Sequence, residues 1–204
     1  MLEAQNLAAR RGFVDIFTGL TFRVDVGEAL LVTGANGSGK TTLLRMLAGL
    51  TRPAAGVISW NGRPRAPFDS ERRDALAFAG HQPALKDELS AEENLASLVA
   101  LDGIAVDAAR IREALDAAGL TRQRSLPTRV LSQGQRRRIG LARLTLLPRP
   151  LWILDEPATA LDAAGALLLT ELIAGHLARR GMVVAATHVD LGLPPSWARA
   201  LSLD

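Results

Sequence analysis

The densest chemistry in the sequence lies in Gly34-Ala35-Asn36-Gly37-Ser38-Gly39-Lys40-Thr41, followed by Thr42. It fits G-x-x-x-x-G-K-[ST], in which glycines let the backbone wrap an anion. Successive N–H groups and the positive end of the following helix then point at that anion. Lys40 is placed to reach the β- and γ-phosphates of a nucleoside triphosphate, and the Thr41 hydroxyl to ligate Mg²⁺. A carboxylate for the metal should come from the end of a neighbouring buried strand, and Leu151-Trp152-Ile153-Leu154 delivers Asp155 and Glu156 there. Asp155 suits the metal, through water, and Glu156 suits orienting and deprotonating an attacking water for in-line transfer. Taken alone, adjacent acids at a strand end could equally cap a helix.

These groups need strands that stop where the loops begin. Ala29–Thr33 is a continuous apolar run ending at glycine, as expected of a strand buried on both faces in a mostly parallel sheet, and Leu151–Leu154 and Met182–Ala186 repeat the pattern. Ahead of them Leu20, Phe22, Val24 and Val26 alternate with polar residues up to Gly27, which predicts a half-buried antiparallel strand that opens the fold. Helical patterns lie between the strands, so the core is α/β.

The middle third differs. Ser90-Ala91-Glu92-Glu93 is a capping box ahead of a helix over Asn94–Leu101, and Asp107 caps a second helix ending near Gly119. With no strand to interrupt it, a mainly helical subdomain is expected at about Ala84–Leu146. It would be inserted into a core of about 1–83 and 147–204 and flanked by loops at Gln82-Pro83 and Pro148-Arg149-Pro150.

Composition limits the alternatives. The chain of 204 residues is 48% hydrophobic and 22% charged, which suits one folded domain. It has no cysteine, so disulfides and thiolate metal sites are excluded, as suits a reducing compartment. No secretory leader is expected from the first residues, and no apolar stretch is long enough for a membrane helix. The net charge is only +3, and Lys40 and Lys86 are the only lysines. The densest basic runs, Arg136-Arg137-Arg138 and Arg179-Arg180, lack interleaved aromatics, so they read as solvated helix faces and no nucleic-acid partner is expected.

Leu131-Ser132-Gln133-Gly134-Gln135 resembles the LSGGQ signature of the ABC ATPase superfamily, departing only at Gln133, where the family has glycine. Gln82, Ala160-Leu161-Asp162 and His188 follow the family's order as Q-loop glutamine, D-loop and switch histidine. The resemblance implies a P-loop NTPase nucleotide-binding domain of the ABC type, with a mainly parallel core sheet, an N-terminal antiparallel β part and an inserted helical subdomain. It also implies that the chain works as a homodimer sandwiching two ATP molecules. Leu131, Ser132, Gln133, Gly134 and Gln135 of one copy would face the phosphate loop of the other, with Ser132 and Gly134 on the γ-phosphate. Asp162 would link the two sites, His188 would contact the γ-phosphate, and Gln82 would help hold Mg²⁺ and report the nucleotide state to a partner. Where the family has an adenine-stacking aromatic this chain has Arg11, with Phe13 close by.

Gly80-His81-Gln82-Pro83, Leu89-Ser90-Ala91-Glu92-Glu93-Asn94-Leu95 and Leu151–Pro157 are similar to the ATPase subunits of the cytochrome c maturation system, of the haem exporter type. That resemblance runs nearly end to end. It implies peripheral attachment to integral membrane subunits at the cytoplasmic face of the bacterial inner membrane, with ATP hydrolysis coupled to release of a haem-loaded chaperone. The alternatives are another small ABC transporter and, further off, an ABC protein acting on nucleic acid or the ribosome. No direct haem ligand is expected: His188 is the switch, His81 precedes the Q-loop, and His176 is read as a surface residue of a helix.

Overall fold

Three apolar runs form the middle of a sheet. They are β3 (Ala29–Thr33), β7 (Leu151–Asp155) and β8 (Met182–Ala186), and β7 and β8 are buried throughout. With β6 (Leu76–Ala79) and β9 (Ala198–Ser202) they make a five-stranded sheet of order β6-β7-β8-β3-β9. Within it β7 with β8, β8 with β3 and β3 with β9 pair in parallel. The computed structural model describes residues 1–203, apart from the side chains of Arg72 and Arg73; Asp204, the end of the expected domain, lies outside them. The chain divides into two units: Met1–Phe78, Arg149–Glu156 and Ile173 onward form the first, and Ala79–Pro148 with Pro157–Leu172 the second.

The first unit also holds an antiparallel sheet, of order β2-β1-β4-β5, built from β1 (Leu2–Arg11), β2 (Val14–Val24), β4 (Ala55–Trp60) and β5 (Arg63–Pro64). The α/β architecture expected from the sequence, a parallel core sheet with an antiparallel β part, is therefore the one observed. The sequence places the opening strand at Leu20–Val26, whereas β1 precedes it and β2 starts at Val14. The alternation in β1 is hidden because Leu2 and Ala4 point inward, then the register shifts before Leu7 and Ala9, with Asn6 between them at φ 51°. Val26 is a second correction: β2 ends at Val24, the chain turns through Asp25–Gly27, and Val26 is 44% exposed.

Helix α1 (Lys40–Leu47) sinks Leu43, Leu44, Met46 and Leu47 into a core shared with Leu2, Val24, Leu30, Ile153 and Val184. Each fully buried leucine contributes about 1.5–3 kcal/mol, which fixes the helix start and the loop before it. A short helix α2 (Ser70–Ala75) leads into β6.

The second unit is helical, with α3 (Ala91–Leu101), α4 (Ala108–Ala117), α5 (Gln133–Leu146) and the start of α6 (Ala163–Ala178). The Ser90 hydroxyl accepts from the Glu93 N–H and the Glu93 carboxylate from the Ser90 N–H, while Asp107 accepts from the Arg110 N–H. Buried Asn94 ties down the preceding loop through the Lys86 N–H and the Lys86 and Leu89 carbonyls.

Two expectations about side chains fail. His176, read as a surface residue, is 7% exposed. In the first unit its ring stacks flat on Trp152, with centroids 3.9 Å apart and planes 9° apart, and Nε2 donates to the Pro150 carbonyl at 3.2 Å. Burial lowers its pKa below the ordinary imidazole value. The helix is apolar on nearly every side, so no polar face in the sequence marks position 176 as inward. The run Arg136–Arg138 is likewise no solvated face: Arg136 binds Asp87 and the Thr128 carbonyl, Arg138 binds Asp162, and Arg137 is buried.

Candidate active site

The first unit gathers the phosphate loop and the acids at the carboxyl ends of β3, β7 and β8, where open α/β sheets bind ligands. Backbone bonds extend the ladder past the strand ends. The Glu156 N–H donates to the Ala186 carbonyl at 3.0 Å, and the Thr187 N–H to the Val32 carbonyl at 3.2 Å. The loops carrying Gly34, Glu156 and His188 therefore start from one rigid frame.

The loop folds back through Gly39, the N-cap of α1, at φ 102°. A Cβ there would lie 2.5 Å from Ile16 Cγ2, so both the conformation and the packing against β2 require glycine. Lys40 is buried as the first helical residue, and its Nζ donates to the carbonyls of Gly34 at 2.7 Å and Ala35 at 3.0 Å. The Thr41 hydroxyl donates to Asp155 Oδ1 at 3.2 Å. His188 Nε2 lies 3.0 Å from Glu156 Oε1, and Glu156 sits in the left-handed region at φ 50°. A non-glycine residue holds such a conformation only when its surroundings fix it, and this one precedes a proline, which disfavours the helical alternative.

Lys40, Thr41, Glu156 and His188 line one cleft of about 300 Å³, with Asn36, Gly37 and Thr42 along the loop and Arg11 and Ile16 beside it. Phe13 is fully exposed in the turn between β1 and β2 and does not line the cleft. The donor set suits Mg²⁺: a hydroxyl and a carboxylate meet, and no group of three or more His, Cys, Asp or Glu side chains forms a protein-only cage among the described residues. Mg²⁺ keeps waters and takes further oxygens from phosphates, so two protein oxygens are enough.

In the second unit the signature builds a different surface. Ser132 is the N-cap of α5; its hydroxyl accepts from the Gln135 N–H at 3.2 Å, and the Gln135 side chain accepts from the Ser132 N–H at 2.9 Å. Gln133 is the first helical residue and is exposed, with no positive φ, so nothing in its backbone demands the glycine usual there. Gly134 is different: a Cβ would lie 2.7 Å from the Ala160 carbonyl oxygen, so the helix start approaches the Ala160–Asp162 loop as closely as it does only because that side chain is absent. These residues line a cleft of about 410 Å³ with Arg138 and Asp162. Asp162 caps α6 through the Gly165 N–H at 2.9 Å and binds the Arg138 guanidinium. The Gly165 N–H first, and Arg138 second, hold its carboxyl below the usual carboxylate range.

The structure thus brings Lys40, Thr41, Asp155, Glu156 and His188 together, and separately Ser132, Gly134 and Asp162; Gln82 is exposed in the second unit. Sequence reasoning missed Arg137 and Arg138. A signal for Arg137 was there, since Leu141 and Leu144 follow it at the spacing of one buried helix face.

Comparison with known proteins gives a consistent assignment. Residues 17–159 match the ABC transporter family. The cytochrome c biogenesis ATP-binding export protein CcmA of Pseudomonas aeruginosa is 52% identical, over 96% of this chain and 97% of that protein. Among solved structures, a dimeric ATP-binding cassette in a post-hydrolysis state with ADP and Pi superposes with a TM-score of 0.81 at 25% identity, covering 93% of this chain and 88% of that one. The ATP-binding subunit of another ABC transporter superposes with a TM-score of 0.79 at 30% identity, covering 92% and 79%.

Proposed function

The chain belongs to the ABC transporter family, as one of its ATP-hydrolysing subunits, and from that premise we propose that it drives a cytochrome c biogenesis export complex. Convergence of Thr41, Glu156 and His188 in one cleft beside Lys40, with Asp155 bonded to Thr41, is the observation that supports the chemistry. The near full-length similarity to CcmA supports the process.

Binding ATP exchanges existing bonds for stronger ones. Lys40 leaves the Gly34 and Ala35 carbonyls for phosphate oxygens, and the loop N–H groups take the rest of the anion. Thr41 and Asp155 would hold Mg²⁺, which would neutralise charge on the triphosphate. Glu156 orients the attacking water and takes its proton; His188, its Nε2 3.0 Å from Glu156 Oε1, first keeps that carboxylate aimed and turns its N–H to the γ-phosphate when ATP binds. Arg11 and Ile16 present a cationic and an apolar surface to the base. Ser132 and Gly134 of a second copy close the site, donating a hydroxyl and a backbone N–H.

Among the described residues no helix is long and apolar enough to cross a membrane. In this reading, supported by the similarity to CcmA, the chain acts peripherally on integral membrane partners at the cytoplasmic face of the inner membrane, and its hydrolysis drives release of a haem-loaded chaperone. In a strain lacking the endogenous subunit, this chain restores mature c-type cytochromes, and Glu156→Gln, which lowers turnover by about 100-fold or more, does not. Normal cytochromes without the chain, or with Glu156→Gln, would remove the assignment.

A further inference from the structure

Arg137 is 6% exposed, on the buried face of the helix that starts at the signature. Its Nη1 donates to the Gly80 carbonyl at 2.8 Å and to the His81 carbonyl at 2.8 Å, while Nε donates to the Pro157 carbonyl at 3.2 Å. All four residues lie in the second unit. Covalent connectivity gives these bonds their meaning: His81 immediately precedes Gln82, and Pro157 immediately follows Glu156. One planar guanidinium therefore spans the backbone entering the glutamine loop and the backbone leaving the catalytic glutamate, two segments remote in sequence, from a third that begins with Ser132.

Stability alone is a poor reason for this arrangement. Burying a guanidinium carries a desolvation penalty that a well-packed apolar side chain of similar size avoids. The guanidinium supplies donors in a rigid fork, which fixes distance and angle between the groups it touches, and a lysine ammonium has no such fork. Glu156 also needs an external hold, because it occupies the left-handed region with a proline next to it.

We propose that Arg137 is a positioning residue of the ATPase cycle, holding the Gly80–His81 and Pro157 backbones at the spacing that orients Gln82 and Glu156 for hydrolysis. The proposal rests on the roles assigned to those two residues above. It makes Arg137 a determinant of kcat and not of nucleotide binding, because the segments it holds lead to Gln82 and Glu156 and not to the phosphate loop.

The test compares wild type, Arg137→Met, Arg137→Lys and Arg137→Gln in the full chain. ATPase kinetics, equilibrium binding of a fluorescent ATP analogue and thermal melting are measured on each. Arg137→Met lowers kcat about 10- to 100-fold, the scale of a misplaced catalytic group, with analogue affinity within about two-fold and a cooperative melt retained. Arg137→Lys does not rescue kcat. Arg137→Gln, whose amide can donate to two carbonyls, recovers part of it. Wild-type kcat in a folded Arg137→Met or Arg137→Gln variant overturns the proposal, as does a loss of analogue affinity in step with kcat. If neither Met nor Gln folds, Arg137 is a stability residue only and the proposal is wrong. Undiminished turnover in Glu156→Gln, run in parallel, would instead remove the catalytic reading on which the proposal rests.

Discussion

At the phosphate cleft the functional groups come from the ends of separate strands and meet through sheet hydrogen bonds, whereas the signature is a single helix start closed by its own first turn. The cleft carries charge, and each charge has a stand-in partner: Lys40 the loop carbonyls, Asp155 the Thr41 hydroxyl, Glu156 the His188 ring. Ser132–Gln135 carries none. The Ser132 hydroxyl spends its acceptor on the Gln135 N–H and keeps its proton to donate. In the proposed function one region holds and hydrolyses an anion, and the other offers neutral dipoles to an anion bound elsewhere. Such a division makes sense when the two belong to different copies of the chain.

Substitutions can break that division or sharpen it. After Glu156→Gln and Arg137→Met, the largest effect is expected from Gly134→Ala, whose methyl would press on the Ala160 carbonyl. Turnover should fall about 10-fold through misplacement of the signature, with the monomer's nucleotide affinity unchanged. Parallel loss of affinity, measured by equilibrium binding, would show that the two regions are not separable.

Acid affects the cleft's unit through His176. Its folded pKa is depressed by burial, so at pH above about 6.5 the ring is neutral both folded and unfolded and the fold keeps its full stability. As pH falls below that value the unfolded chain gains the proton first, and stability drops. Thermal midpoints of His176→Phe should fall less than those of the wild type between pH 7 and about pH 5; identical pH dependence would exclude His176 as a source.

The smallest effect is expected from Gln133→Gly, which restores the family's usual residue. Position 133 needs no glycine, so ATPase activity should stay within about two-fold. The added backbone freedom at a helical residue should lower stability by up to about 1 kcal/mol, read from denaturant melts.

The legibility of the two regions follows the same contrast. The phosphate loop and the strands at Ala29–Thr33, Leu151–Asp155 and Met182–Ala186 are written locally, in contiguous glycines and unbroken apolar runs, and the structure places those strands within a residue of the expectation. Strand β1 was hidden because the register shift at Asn6 breaks period two, and burial of His176 because the partner it needs, Trp152, lies on a different element. Arg137 escaped for a related reason. Its acceptors at Gly80, His81 and Pro157 are backbone carbonyls, which carry no residue identity for a sequence to display.

The most direct test of action between copies is size-exclusion chromatography of Glu156→Gln with and without ATP, repeated after adding Ser132→Arg. Glu156→Gln should shift from monomer to dimer with ATP, and the double variant should stay monomeric while binding ATP as tightly as before. A dimer that survives Ser132→Arg, or ATP affinity lost with it, would contradict a signature that acts on the nucleotide of a second chain.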